Sequence, residues 1–211
     1  MNYKILASGS SGNSTIIEDI ILVDCGLSFK ELENYLNQVK LILLTHQHSD
    51  HFNIRTIAKI SKEYPKIRFG CGKFLYSDLV RCGVSRKQID ILNIECWYRY
   101  KNFTVNPIEL FHDVPNQGYK IEFKDIKYIY ATDTNSMKNI SATNYDVFLV
   151  EGNYDKKQLE KELKESKQNG EFNYRTRVPK THLSKEQCLD FFFKNAKETS
   201  VLEFMHEHKE K

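Results

Sequence analysis

Six residues at the end of an apolar run, His46-Gln-His-Ser-Asp-His51, constrain this chain more than any other feature. Histidine nitrogens and a carboxylate packed so closely are a dense set of ligands for Zn²⁺, Mn²⁺ or Fe. In an extended turn His46 and His48 can face one metal ion, while Asp50 and His51 can face a second beyond the bend. An apolar strand that delivers such a cluster has little packing purpose, so a solvated histidine-rich loop is the weaker interpretation.

The residues around this motif predict a buried strand followed by a helix. Residues 40–45 are almost continuously apolar, as expected for a strand that is covered on both faces. Asp50 or Asn53 can cap the helix that follows, whose apolar positions keep one face up to Ile60. Before the motif the sequence predicts a capped helix from Ser28 to Asn37, and short strands at 3–7, 15–18 and 20–24.

The second half of the chain repeats the alternation of strands and helices. Apolar or β-branched runs predict strands near 103–110, 118–123, 126–131, 147–151 and 200–205, and helical spacing predicts helices near 156–167 and 185–193. Two blocks of strands, each covered by helices, predict an α/β (α+β) chain. We expect residues 1–211 to form one domain, a four-layer αββα sandwich.

Apolar runs, cysteines and net charge limit where this protein is expected to act and what it is expected to bind. The 211 residues contain no run of about 18 apolar residues and no secretory leader, so we expect a cytoplasmic protein without a membrane partner. The five cysteines are scattered, which favours neither a disulfide framework nor a thiolate zinc site. A formal net charge of +3 does not by itself predict a polyanionic partner.

Four further residues with ligand chemistry follow predicted strands or precede a predicted helix. A sheet presents the side chains at its strand ends to one shared rim, and a metal ion needs more ligands than one short loop supplies. We therefore predict that the site also includes His112, Asp133, His182 and His206.

Together these motifs resemble the metallo-β-lactamase superfamily, and the match spans almost the whole chain. His46-x-His-x-Asp-His51, His112 and the Ala-Thr-Asp-Thr segment at Asp133 carry this resemblance. Four further segments resemble the YycJ/WalJ-like bacterial or phage nuclease family: Leu6-Ala-Ser-Gly-Ser-Ser-Gly-Asn-Ser14, Leu22-Val-Asp-Cys-Gly-Leu27, Glu151-Gly-Asn-Tyr-Asp155 and Thr181-His-Leu-Ser184.

The resemblance implies a site for two divalent metal ions, Zn or Mn. His46, His48 and His112 would bind one ion, Asp50 and His51 would bind the other, and Asp133 would bridge them. In the phosphodiesterase branch a histidine before a helix is catalytic, which His182 matches, and a later histidine at a strand end binds metal. His206 matches that second role, with His208 as the alternative ligand.

The function implied is that of a metal-dependent phosphodiesterase or nuclease, and the family suggests a DNA exonuclease in repair or replication. Two ions about 3.5–4 Å apart lower the pKa of a water molecule and stabilise the attacking and leaving oxygens. We expect Asp50 to orient the resulting hydroxide and His182 to donate a proton. The expected substrate is nucleic acid, DNA in preference to RNA.

Two loops are candidates for substrate binding. Residues 171–180 place Arg175, Arg177 and Lys180 just before His182, where phosphate groups would be held, and Phe172 and Tyr174 could stack on an unpaired base. A solvated basic loop is the alternative interpretation. The loop that contains Ser10 and Asn13 could present backbone N–H groups to an anion, although a plain hairpin connection explains it equally well.

Two other functions remain open. The same fold could hydrolyse a small molecule such as a thioester or a lactone, but the separate His182 and the basic approach to the site argue against this. The chain could also be an inactive protein that binds metal and nucleic acid, which the intact ligand set disfavours.

Overall fold

The computed structural model describes residues 1–170 and 172–207, with the side chain of Tyr174 also outside the description. The chain forms two compact units, residues 1–96 and 97–211. Each unit contains one six-stranded mixed sheet. The predicted α/β class, with two blocks of strands and accompanying helices, is confirmed.

The sheet of the first unit follows chain order, from β1 to β6. β1 and β2 are antiparallel, β2 and β3 are antiparallel, and β3 to β6 are parallel. The strands are β1 Tyr3–Ala7, β2 Ser14–Ile17, β3 Ile21–Val23, β4 Leu41–Leu44, β5 Arg68–Cys71 and β6 Ile89–Ile91. The helices are α1 Phe29–Leu36, α2 Ile54–Glu63 and α3 Tyr76–Arg81, with 3₁₀ turns at Lys73–Leu75 and Arg86–Gln88.

Local capping and one apolar cluster hold the helices of the first unit. The Ser28 N–H donates to Glu31 Oε2 at 3.0 Å and so starts α1, and Asn53 Oδ1 accepts from the Thr56 N–H at 3.2 Å and starts α2. The buried faces of these helices pack with the sheet in one cluster that includes Leu32, Leu36, Ile57, Ile60, Ile42, Leu44 and Phe69. All four residues of β4 are buried, as predicted for a strand covered on both faces.

The sheet of the second unit has the order β12-β11-β10-β9-β8-β7. Its strands are β7 Tyr98–Arg99, β8 Phe103–Phe111, β9 Pro115–Phe123, β10 Lys127–Ala131, β11 Tyr145–Glu151 and β12 Ala196–Met205. Its helices are α4 Lys156–Gln168, α5 Val178–Thr181 and α6 Lys185–Asn195, with a 3₁₀ turn at Tyr174–Arg177. α6 contributes Cys188 and Phe191 to a core cluster with Phe148 and Val150 of β11.

The strand directions in the second sheet explain where its polar side chains gather. β10, β11 and β12 are parallel, and β8 runs the same way because both β8 and β10 pair antiparallel with β9. The carboxyl ends of these four strands therefore meet at one edge of the sheet. His112, Asp133, Glu151 and His206 lie at or just after these ends.

Most predicted elements are confirmed, but the stretch between residues 67 and 99 contains strands β5 to β7 and helix α3, which the sequence analysis did not predict. β9 also begins three residues earlier than expected, at Pro115, and β12 four residues earlier, at Ala196. Within the described part of the chain, every helix is too short or too polar to span a membrane. That residues 1–211 form a single domain stays a prediction.

Candidate metal centre

His46 and His48, on the loop after β4, bring two ring nitrogens together. Thr45 Oγ1 lies 3.0 Å from His46 Nδ1, which directs the other nitrogen of that ring, Nε2, toward His48. His46 Nε2 and His48 Nδ1 are 3.1 Å apart. With metal–nitrogen bonds of about 2.0–2.1 Å, two nitrogens at this separation can bind the same ion.

Asp50 and His51, on the same loop, form a second pair. His51 Nε2 lies 3.6 Å from Asp50 Oδ2. His51 donates from Nδ1 to the fully buried Asp24 at 2.8 Å, so Nε2 is the nitrogen that can bind a metal ion. Asp24 Oδ1 also accepts from the Thr45 N–H at 2.9 Å. Burial raises the pKa of the Asp24 carboxyl, and the interactions with His51 and Thr45 oppose that rise.

Asn13, predicted to bind substrate, is fully buried against the metal-ligand loop, residues 46–51. Its Nδ2 lies 2.8 Å from His51 Nε2 and 3.2 Å from Asp50 Oδ2. Its Oδ1 accepts from the Gly9 N–H at 2.9 Å, which closes the loop that contains it. Ser10, the other predicted contact on this loop, is exposed. The structure therefore separates an inner residue that touches two candidate ligands from an outer one that faces solvent.

In the second unit four side chains converge at the edge of the sheet. Asp133, Glu151, His182 and His206 each offer one ligand atom, and these four atoms lie within 4.8 Å of one another. Asp133 Oδ1 is 3.6 Å from His206 Nε2 and 3.7 Å from His182 Nδ1. The donors are two imidazoles and two carboxylates, a set that suits a divalent ion of intermediate softness such as Zn²⁺ or Mn²⁺. The residues present therefore fit a metal centre.

Asp133 adopts a left-handed backbone conformation, with φ 56°, which an L-residue rarely takes. The buried Asn116 holds this bend, because its Nδ2 donates to the carbonyls of Thr132 at 3.0 Å and of Asp133 at 2.7 Å. His206, the first residue after β12, is also left-handed, with φ 53°. Asn153 donates from Nδ2 to the His206 carbonyl at 2.8 Å and fixes that end.

His112 is oriented by the segment that precedes His182. Its Nδ1 donates to the Thr181 carbonyl at 3.0 Å, which leaves Nε2 on the side of Asp133, 3.8 Å from Oδ1. Burial lowers the pKa of His112, and the carboxylates of Asp133 and Asp113 oppose that shift. A neutral imidazole is the form that binds a metal ion.

Glu151 and Asp24 are two further acids of the site that were not predicted. Glu151 Oε1 accepts from His182 Nδ1 at 2.6 Å, and its Oε2 accepts from the Thr134 N–H at 2.7 Å. Burial and the nearby Asp133 carboxylate raise the pKa of Glu151 well above its usual range. Both acids end a predicted strand, and both lie in segments that carry the family resemblance, residues 22–27 and 151–155.

The basic segment before His182 is only partly exposed. Arg175 forms an ion pair with Glu162 of α4, whereas Arg177 and Lys180 are exposed. Phe172 is 86% exposed, and the side chain of Tyr174 lies outside the described part of the chain. His208, the alternative ligand, lies outside the described residues as well.

Two mixed sheets with helices, and histidine and carboxylate donors on the loops at their strand ends, define a metallo-β-lactamase-fold protein. The family comparison agrees, since the profile of the β-lactamase superfamily domain matches residues 20–204. This chain belongs to that family.

Two curated relatives extend the comparison. The exodeoxyribonuclease WalJ of Streptococcus pneumoniae serotype 2 is 29% identical in an alignment of 170 residues, gaps included, that covers 72% of this chain and 62% of WalJ. The exodeoxyribonuclease YycJ of Bacillus anthracis is 39% identical in an alignment of 74 residues, gaps included, that covers 30% of this chain and 27% of YycJ. The resemblance to YycJ/WalJ-like proteins is confirmed. The chain spans about three fifths of the length of WalJ.

Solved structures confirm the fold. The metallo-β-lactamase fold protein YhfI from Bacillus subtilis matches with a TM-score of 0.74 at 15% identity, over 99% of this chain and 87% of YhfI. The short form of human tRNase Z matches with a TM-score of 0.69 at 17% identity, over 98% of this chain and 93% of that protein. At these identities the likeness concerns the fold alone.

Proposed function

We propose that this protein is a metal-dependent nuclease that hydrolyses phosphodiester bonds in DNA, acting as an exonuclease. The contact between His182 and Glu151 carries the proposal. Cleavage of a phosphodiester releases an alkoxide, a poor leaving group that a positioned proton donor assists. A histidine fixed through Nδ1 by a buried carboxylate is held in the orientation that such a donor needs.

The proposed ligands are the seven residues that the family resemblance implies. His46, His48 and His112 would bind one divalent ion, Asp50 and His51 would bind a second, Asp133 would bridge the two, and His206 would be the seventh ligand. Within the first unit the close nitrogens of His46 and His48 support the first set, and the pairing of His51 with Asp50 supports the second. Within the second unit, His206 Nε2 lies 3.6 Å from Asp133 Oδ1, which supports the proposal that Asp133 is a metal ligand together with His206.

The bound ions would lower the pKa of a water molecule and neutralise charge on the phosphoryl group. Asp50 would orient the attacking water, since its carboxylate lies on the loop beside His51. His182 would donate a proton to the leaving oxygen, and Glu151, which contacts His182 Nδ1, would hold the ring in one orientation for the transfer. Asp24 and Asn116 would act as positioning residues, through His51 and the Asp133 backbone respectively.

The names of the relatives support DNA as the substrate, since WalJ and YycJ are both called exodeoxyribonucleases. The fold likeness to tRNase Z makes RNA the natural competing substrate to test. The exposed Arg177 and Lys180 supply the positive charge that a phosphate backbone requires.

The experiment is a substrate panel with metal-stripped protein, restored with Mn²⁺ or Zn²⁺. Single-stranded DNA, double-stranded DNA, RNA, a phosphodiester dye and a thioester are assayed in parallel. We expect end-dependent cleavage of DNA and only slow turnover of the dye. Thioester turnover without nucleic-acid cleavage would show a small-molecule hydrolase instead, and tight DNA binding without any turnover would show an inactive binding protein.

A further inference from the structure

Phe111 is a large aromatic residue that lies half-exposed directly beside a candidate metal ligand. It is the last residue of β8, it precedes His112, and 45% of its surface is exposed to solvent. The residue before it, Leu110, is only 4% exposed and belongs to the core of the unit. Single exposed apolar side chains are common on protein surfaces, so exposure alone does not indicate a function for Phe111. Its contacts and neighbours must supply the evidence.

Two hydrogen bonds fix the backbone of Phe111 to the loop that carries Asp133. The Phe111 N–H donates to Thr134 Oγ1 at 3.1 Å, and its carbonyl accepts from the Asn135 N–H at 2.9 Å. The ring therefore projects from a backbone that is held on both sides. A rigid aromatic side chain loses little conformational entropy when it contacts a ligand.

Asn135 also joins this position to the basic segment. Its Nδ2 donates to the Lys180 carbonyl at 2.6 Å, so Asn135 links the three loops that carry His112, Asp133 and His182 through its backbone N–H and its side chain. Lys180 and Arg177 are exposed. The opposing charges near Phe111 along the chain are Glu109 and Asp113, and Asp113 is directed to His112, with 3.2 Å between Oδ1 and Nε2.

We propose that Phe111 is a stacking platform for an unpaired terminal base of the DNA substrate, with Lys180 and Arg177 holding the adjacent phosphates. An aromatic face with flanking cations is the arrangement that binds single strands without reading their sequence. A base can stack there only when it is unpaired, as in a single strand or a frayed end. The inference rests on the proposed nuclease function and identifies the part of the substrate that the site holds.

The kinetic test compares Phe111→Ala, Phe111→Leu and Phe111→Tyr with the wild-type protein. Loss of one base–aromatic stack corresponds to about a 10-fold or greater loss of affinity. We expect Phe111→Ala and Phe111→Leu to raise the KM for a single-stranded oligonucleotide by about that factor, whereas Phe111→Tyr keeps it near wild type. The loss in kcat/KM should be about 10-fold larger for the oligonucleotide than for a phosphodiester dye, which offers no nucleobase.

Phe193→Ala is the matched control. Phe193 is 74% exposed and lies near the carboxyl end of α6, while the amino end of that helix follows His182. We expect this variant to behave as wild type on both substrates. Equal losses on the oligonucleotide and the dye in Phe111→Ala would overturn the platform, since they would show a disturbed metal centre.

A direct measurement of stacking uses 2-aminopurine at the terminal position of a phosphorothioate oligonucleotide, which resists cleavage. We expect the wild-type protein and Phe111→Tyr to quench its fluorescence and Phe111→Leu to leave it bright. If all three proteins quench 2-aminopurine equally, Phe111 does not stack on the terminal base, even if the wild type cleaves DNA. Absence of nucleic-acid cleavage by the wild type would instead refute the proposed function.

Discussion

Glu151 Oε1 lies 2.6 Å from His182 Nδ1, and these two residues are separated by 31 positions in the chain. Glu151 ends β11, whereas His182 follows the short helix α5, so the contact joins the core of the second unit to its surface. Glu151 is fully buried, and His182 is half-buried. A buried acid that holds a more accessible histidine is suited to keep that histidine in one tautomer and one orientation.

The first prediction concerns this pair. Glu151→Gln keeps the size of the side chain but replaces the carboxyl group that orients His182 through Nδ1. We expect kcat on DNA to fall by about 100-fold or more, with little change in KM, because general acid catalysis is lost. Steady-state kinetics on an oligonucleotide measure both constants. A KM effect without a kcat effect would show that Glu151 serves binding instead.

The second prediction separates the two late histidines. His182→Ala should retain both metal ions and lose most activity, whereas His206→Ala should lower metal affinity at least about 10-fold. The metal content of dialysed protein and a competition titration with a chelator measure this difference. The opposite pattern would mean that the roles of His182 and His206 have been exchanged.

The third prediction concerns Asn116, which donates to two carbonyls at the strained Asp133 bend. Removal of both donors in Asn116→Ala should lower metal affinity about 10-fold and the free energy of unfolding by about 2 kcal/mol. Asn106→Ala is the control, because Asn106 is also a buried asparagine of the same sheet. We expect the control to lose stability while metal affinity stays unchanged, and equal affinities in both variants would contradict the role assigned to Asn116.

The site residues that could be predicted from the sequence lie in a short motif or directly follow an apolar run. His46 to His51 form one short motif, and His112, Asp133 and His206 follow apolar runs that predict strands. Parallel strands place their carboxyl ends at one edge, so strand-end residues in the second unit were expected to converge. Asp133, His182 and His206 do converge there.

Glu151 and Asp24 each end a predicted strand and lie in segments that resemble the family, but neither feature indicates a role. An acidic residue at the end of a strand usually only terminates it at the surface, and both of these are buried. Their roles depend on contacts with histidines 31 and 27 positions away, which no local pattern encodes. β6 was missed because Asp90 interrupts its three residues. Gly70 of β5 also interrupts the apolar run, and a Cβ atom there would meet Leu92 Cδ1 at 2.9 Å.

The fourth prediction concerns Gly26, where the loop after β3 passes the metal-ligand loop. A Cβ atom at this position would lie 1.8 Å from the Asp50 carbonyl oxygen and 2.5 Å from the Asn13 nitrogen. Because both contacts are to backbone, Gly26→Ala must displace the Asp50 loop, and we expect a loss of about 3 kcal/mol or more in the free energy of unfolding.

Chemical denaturation checks this value against Gly83→Ala. A Cβ atom at Gly83 meets nothing within 4 Å, but its φ of 89° is unfavourable for alanine. We expect that variant to lose only about 1 kcal/mol. Similar losses in the two variants would show that the clash at Gly26 relaxes without cost.

The fifth prediction concerns metal removal. Divalent ions that bind the folded chain stabilise it by mass action, by about 4 kcal/mol when the free ion is a thousand-fold above its dissociation constant. For a chain of this size, stripping the metal should therefore lower Tm by about 10 °C and abolish activity. Thermal melts with and without added Mn²⁺ or Zn²⁺ measure the shift. A variant that carries both His46→Ala and His48→Ala should show a much smaller shift, because it lacks the two ring nitrogens that lie 3.1 Å apart in the first unit. A full shift in that variant would place the stabilising ion elsewhere.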